Sequence, residues 1–156
     1  MDDATLAALC IATEAAGEPY EGKVAIGLVI RKRMAALFFS DGTIAGTILR
    51  KLQFSAFWSD YVGGKYQVVC NTAADAEARA QVLLARYQLQ PGVMRQCAAA
   101  WADSAPDGTF SGGPQFQKLK AEPRALLYCN PVISSPDWAT PDKLVAEIFH
   151  HSFFRG

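Results

Sequence analysis

The chain has 156 residues, about half of them apolar and 19% charged, with fifteen basic side chains balancing fifteen acidic ones. This is globular rather than disordered composition, long enough to bury a core as one domain over 1–156. Zero net charge gives no electrostatic reason for a nucleic-acid or anionic-membrane partner. The longest apolar stretch, VAIGLVI, is seven residues and too short to cross a bilayer, so no stable membrane association is expected.

Residues 4–16 form the first predicted helix. Leu6, Leu9, Cys10 and Thr13 follow the i, i+3, i+4, i+7 template, Asp2 or Asp3 suits the N-cap region, and Gly17 supplies a stop signal. Pro19 stands near the start of a second helix running to about residue 36, with a long apolar middle and a basic end at Arg31, Lys32 and Arg33. Residues 40–70 hold short elements and an aromatic run, FSAFWSDY, whose Phe54, Phe57, Trp58 and Tyr61 would share one face of a helix. Asn71 or Thr72 caps a third helix over about 73–90, Pro91-Gly92 ends it, and a short helix over 93–102 follows. SAPDGTFSGGPQF (104–116) is loop by composition, and ALLYCNPVI (125–133) is a short strand or extended segment. Thr140-Pro141 then opens a final helix toward His150. The predicted fold class is mainly α with little β, a single domain with room for one small β-hairpin.

Cys10, Cys70, Cys97 and Cys129 are spaced by 60, 27 and 32 residues, which is neither metal-knuckle nor redox-motif spacing. Free buried thiols are expected, with one or two disulfides left open for a protein working outside the cytoplasm. His150 and His151 are adjacent, and neighbours on a helix point about 100° apart, a poor arrangement for one metal ion. No phosphate-binding loop, dinucleotide fingerprint or nucleophile elbow occurs. No metal and no cofactor is expected.

IATEAAGEPYEG places Glu14, Glu18 and Glu21 around a helix break. Glu14 falls on the apolar stripe of the first helix and in its last turn, where burial and the negative helix end both disfavour an anion. A carboxylic acid kept protonated near neutral pH is what general-acid cleavage of a glycosidic bond requires. The competing reading is a structural glutamate paired with Arg31, Arg33 or Arg124. Glu18 and Glu21 precede or open the second helix, where carboxylates serve as caps. A thiol enzyme using Cys10, one turn before Glu14, is a further alternative. Phe54 and Trp58, flanked by Gln53, Ser55, Ser59 and Asp60, suit either core packing or a wall for stacked sugars. Tyr128, Asn130 and Trp138 present the same choice.

The run TEAAGEPYEGKVAIGLVIRKRM resembles the opening of the SleB-like cell-wall hydrolases, the family of the spore cortex-lytic enzymes, whose pattern is close to G-E-A-x-G-E-P-x-E-G-x-x-A-V-x-x-V-x-x-N-R. Glu14, Ala15, Gly17, Glu18, Pro19, Glu21, Gly22, Ala25, Val29 and Arg33 match it, while Thr13 replaces Gly and Lys32 replaces Asn. LQFSAF, LLYCNP, the following Trp138 and EIFHHSFF resemble later segments, with His151 and Phe153 in the matching places. The resemblance implies a lysozyme-like fold and cleavage of peptidoglycan glycan between N-acetylmuramic acid and N-acetylglucosamine. Glu14 would be the acid/base of a lytic transglycosylase; Glu18, Gln53, Phe54, Trp58, Tyr128, Asn130 and His151 would bind the strand or fix the groove. A muramidase, with Asp60 as the second carboxylate, is the alternative. A non-catalytic wall-glycan-binding or virion structural protein is another. With no signal segment in view, a monomeric phage or prophage endolysin is expected, made in the host cytoplasm and reaching the wall by holin-type release.

Overall fold

The chain is described over residues 1–156 by a computed structural model. Asp2 accepts the Thr5 backbone N–H at 2.8 Å and starts helix α1 (Asp3–Ala15), in which every residue from Leu6 to Ala12 is buried. A helix apolar all round belongs inside a protein, and α1 is wrapped by the helices that follow. Fully burying side chains such as Leu9 and Ile11 contributes roughly 1.5–3 kcal/mol each, so α1 is the central post of the core. Pro19 caps α2 (Tyr20–Ala36), buried from Gly22 to Ile30. A Cβ on Gly27 would lie 2.8 Å from the Ser104 Cβ, so glycine there permits the close crossing of α2 with the end of α5.

Helix α3 (Ile44–Ile48) is capped by Thr43, and a one-turn 3₁₀ segment covers Ser55–Phe57. Strands β1 (Ser59–Val62) and β2 (Lys65–Val68) form a hairpin around Gly63-Gly64, both at positive φ, which a two-residue turn of this kind demands. Thr72 and Asp75 make a reciprocal capping box on α4 (Ala73–Gln88), and Pro91 opens α5 (Pro91–Asp103). The aromatic run is therefore not a helical face. Phe54, Phe57 and Trp58 turn inward around the 3₁₀ turn, while Tyr61 lies exposed on β1.

Two expectations fail in the second half. The loop assigned to 104–116 gives way at Pro114 to helix α6 (Pro114–Ala121), which buries Phe116 and Leu119; the Gly-rich approach hid a Pro start of the type helices accept. The final helix is absent. Thr140-Pro141 starts only a 3₁₀ turn, after which β4 (Leu144–Ile148) and β5 (His151–Arg155) form a hairpin. Ala146 and Ile148 are buried while Glu147 is exposed, a period of two that suits a strand. With β3 (Ala125–Cys129) they make an antiparallel sheet of order β3-β5-β4. His150 thus sits in a turn and His151 begins a strand.

The fold is mainly α with a little β. One cluster of 31 buried residues joins α1 and α2 to Phe54, Trp58, Trp101, Phe116 and Phe153. All four cysteines are buried free thiols. No helix is long and apolar enough to cross a membrane.

Candidate active site

The last turn of α1 carries Glu14 out of the core and into a cleft of about 480 Å³. Thr13, Glu14 and Glu18 come from the α1–α2 corner, Ser55 and Ser59 from the 3₁₀ turn and β1, Tyr128 from β3, Asn130 and Trp138 from the β3–β4 connection, and His151 from β5. A second lobe of about 550 Å³ adjoins it and shares Glu14, Ser55, Tyr128 and Trp138. The carboxyl group therefore stands at the junction of two lobes, as a group must if it acts within a chain running through both.

Tyr128 Oη donates to Glu14 Oε2 at 2.7 Å. Burial pushes the Glu14 pKa above the usual carboxylate value, and neither the Tyr128 hydroxyl nor the Arg33 charge cancels that effect. Burial, reinforced by the Glu14 charge, keeps the Tyr128 hydroxyl protonated, so it stays a donor. Arg33 is 4% exposed, gives its Nε to the Leu126 carbonyl at 2.7 Å and lies over the Phe54 ring. It forms no ion pair with Glu14. Arg31 is spent on Ser104 and Trp101, and Arg124 on the Gly156 carbonyl. The arginine-paired structural glutamate is thus not what the fold builds. Oε1 of Glu14 has no protein partner, yet it is not among the buried polar atoms sealed from solvent.

Glu18 differs. Its side chain is 8% exposed, its Oε1 lies 2.8 Å from His150 Nδ1 and 3.8 Å from His151 Nδ1, and its Oε2 is sealed without a partner. Burial pushes the His151 pKa down; Glu18 opposes that shift and His150 adds to it. The His151 ring meets Tyr128 edge-on at 5.4 Å, which links this cluster to the residue that touches Glu14. Glu21 accepts the Gly113 N–H at 2.7 Å and ties the start of α6 to α2, a brace remote from the cleft.

Glu14, Glu18, Tyr128, Asn130 and His151 are thus gathered around the first lobe, and Gln53 lines the second. Phe54 and Trp58, proposed from sequence as sugar platforms, are 1% and 2% exposed and line neither lobe. They are core residues. Asp60 is held by Arg79 at 3.1 Å and also stays out of the cleft. Cys10 is fully buried, and burial pushes its thiol pKa far up, so it cannot serve as a thiolate nucleophile. Sequence reasoning missed Tyr66 and Ile133 in the first lobe and Phe39 and Leu52 in the second. All four sit on turns or exposed strand, where no periodicity marks a direction.

A family model described as cell wall hydrolase matches residues 17–154. No curated protein and no solved structure matches the chain. The matched span takes in Glu18, Gln53, Tyr128, Asn130 and His151 but begins just beyond Glu14. The role of Glu14 therefore rests on its geometry.

Proposed function

The chain belongs to the cell wall hydrolase family, and from that premise we propose that it cleaves peptidoglycan glycan strands between N-acetylmuramic acid and N-acetylglucosamine, with Glu14 as general acid and base. One observation carries this reading. Glu14 has a raised pKa, no cationic partner and one unengaged oxygen, at the point where two cleft lobes meet. Protonated, it donates to the bridging oxygen as the C1–O bond breaks. As carboxylate, it then accepts the proton of the muramoyl 6-hydroxyl while that oxygen bonds to C1, closing a 1,6-anhydro ring.

A lytic transglycosylase needs only this one carboxyl group, whereas a hydrolytic muramidase ordinarily uses two flanking the scissile bond. Asp60 lies outside the cleft and Glu18 is committed to its histidines, which favours the transglycosylase. Purified protein incubated with peptidoglycan, its fragments analysed by mass spectrometry, tests both levels. Anhydro-muramyl ends are the expected product; reducing-end muramic acid would make it a muramidase; release of free stem peptides alone would overturn glycan cleavage. For the biological setting we propose phage or prophage lysis. Cells expressing the protein should then stay intact until their membrane is permeabilised, and lysis without permeabilisation would refute that setting.

A further inference from the structure

The second lobe is walled by Phe38, Phe39, Leu52 and Leu127, with Gln53 and Ser55 as polar groups beside them. Phe39 and Leu52 are 43% and 53% exposed. Both hold the left-handed backbone, at φ 47° and 62°, a region that bulky residues seldom enter. Neither burial nor backbone preference accounts for a large apolar side chain at such a position; glycine or asparagine would fit with less strain. Leu37 and Phe149 share this backbone and exposure but line neither lobe; what sets Phe39 and Leu52 apart is that both wall the same lobe beside Glu14. Phe38 meets Phe39 edge-on at 4.5 Å and fixes the ring in place. The lobe shares Glu14, Ser55, Tyr128 and Trp138 with the first, so a strand passing the carboxyl group has both lobes within reach.

We propose that Phe39 and Leu52 are the jaws of a glycan subsite, gripping the apolar face of an N-acetylhexosamine ring on the side of Glu14 opposite His151 and Asn130. Gln53 and Ser55 meet the polar edge of the same ring. An apolar face flanked by hydrogen-bonding groups is the surface a pyranose recognises. This assignment rests on the glycan-cleavage reading and adds a requirement to it: the substrate must fill both lobes, so the protein acts on long strands in preference to short fragments.

The test uses the full chain, wild type and the variants Phe39→Asn and Leu52→Asn, on peptide-stripped glycan strands of graded length and, in parallel, on intact peptide-bearing peptidoglycan. Asparagine tolerates the left-handed backbone while removing the apolar surface; Phe39→Gly and Leu52→Gly serve where an asparagine variant does not fold. Melting temperature should stay near that of wild type, and kcat/KM on long strands should fall roughly 3–10-fold per variant. The loss should be smallest on the shortest strands that are still cut, and Phe39→Tyr should retain wild-type length preference. Equal loss at every length, in step with lost stability, would reduce the pair to a structural role. No loss at any length would remove the subsite. Loss confined to peptide-bearing peptidoglycan would assign the jaws to the stem peptide and overturn the sugar assignment. A wild-type protein that cuts no glycan fails the parent reading before the variants are compared.

Discussion

The two sides of the α1–α2 corner carry chemically identical side chains in opposite circumstances. On the α1 side, Glu14 touches one neutral donor, Tyr128, and keeps an oxygen open to the cleft. On the α2 side, Glu18 faces two histidines and has its second oxygen sealed. A carboxyl group is available for proton transfer when it is desolvated but uncompensated; compensation makes it architecture. Only three residues of chain lie between the two cases, and α1 ends within them at Ala15.

The sharpest test of that contrast is Glu14→Gln. The amide still accepts from Tyr128 but has no proton to give, so turnover should drop by about 10²–10⁴-fold while circular dichroism and strand binding are retained. Turnover close to wild type would remove Glu14 from the chemistry. Tyr128→Phe probes the single donor on the α1 side. The hydroxyl holds the Glu14 pKa lower than burial alone would, so its loss should raise that pKa. The alkaline limb of the pH–rate profile should move to higher pH, with turnover down about tenfold. An unmoved limb would mean that the 2.7 Å contact does not act on the titrating group.

The helical half of the fold is legible in the sequence because its signals are local. Asp2 caps α1, Pro19 opens α2, and Thr72 with Asp75 starts α4, all within four residues of the ends they set. The choice of Glu14 is legible too, but the stripe behind it is not what the fold uses. α1 is buried on every side from Leu6 to Ala12, and Glu14 is distinguished by standing where the helix leaves the core. What the sequence hides is non-local. LVAEIFHHSFF folds back on itself as the β4–β5 hairpin, but β5 is flanked on its other side by a second neighbour, β3, which lies far upstream and outside any local window. Phe54 and Trp58 mislead for a similar reason, since aromatic residues beside serines look alike whether their rings face a cleft or a core. Phe39 and Leu52 carry no signal at all, because a left-handed φ at a non-glycine residue is imposed by its surroundings.

Glu18→Gln examines the compensated side of the corner. It removes the charge that His150 and His151 face, yet no proton transfer depends on it in the proposed mechanism. Stability should fall by about 1–3 kcal/mol, read as a lower denaturant midpoint, with turnover per folded molecule close to wild type. A selective loss of turnover with stability intact would give Glu18 a chemical role and revive the two-carboxylate mechanism.

The smallest effect is the most discriminating, because it reads the state of Glu14 without any substrate. Burial raises the Glu14 pKa in the folded protein above its value in the unfolded chain. The folded state thus binds that proton more tightly, and the stability contributed by the protonated form is complete below the ordinary glutamate pKa. It is lost as pH rises through the folded value. Glutamine does not titrate, so the melting temperature of Glu14→Gln minus that of wild type should increase as pH rises across that window. His151 has the opposite linkage: its depressed pKa supports the fold above its ordinary value and withdraws that support as pH falls. It is present in both proteins and cancels from the difference. A difference that stays flat with pH would mean that burial does not hold the proton on Glu14, and the contrast drawn at the corner would go.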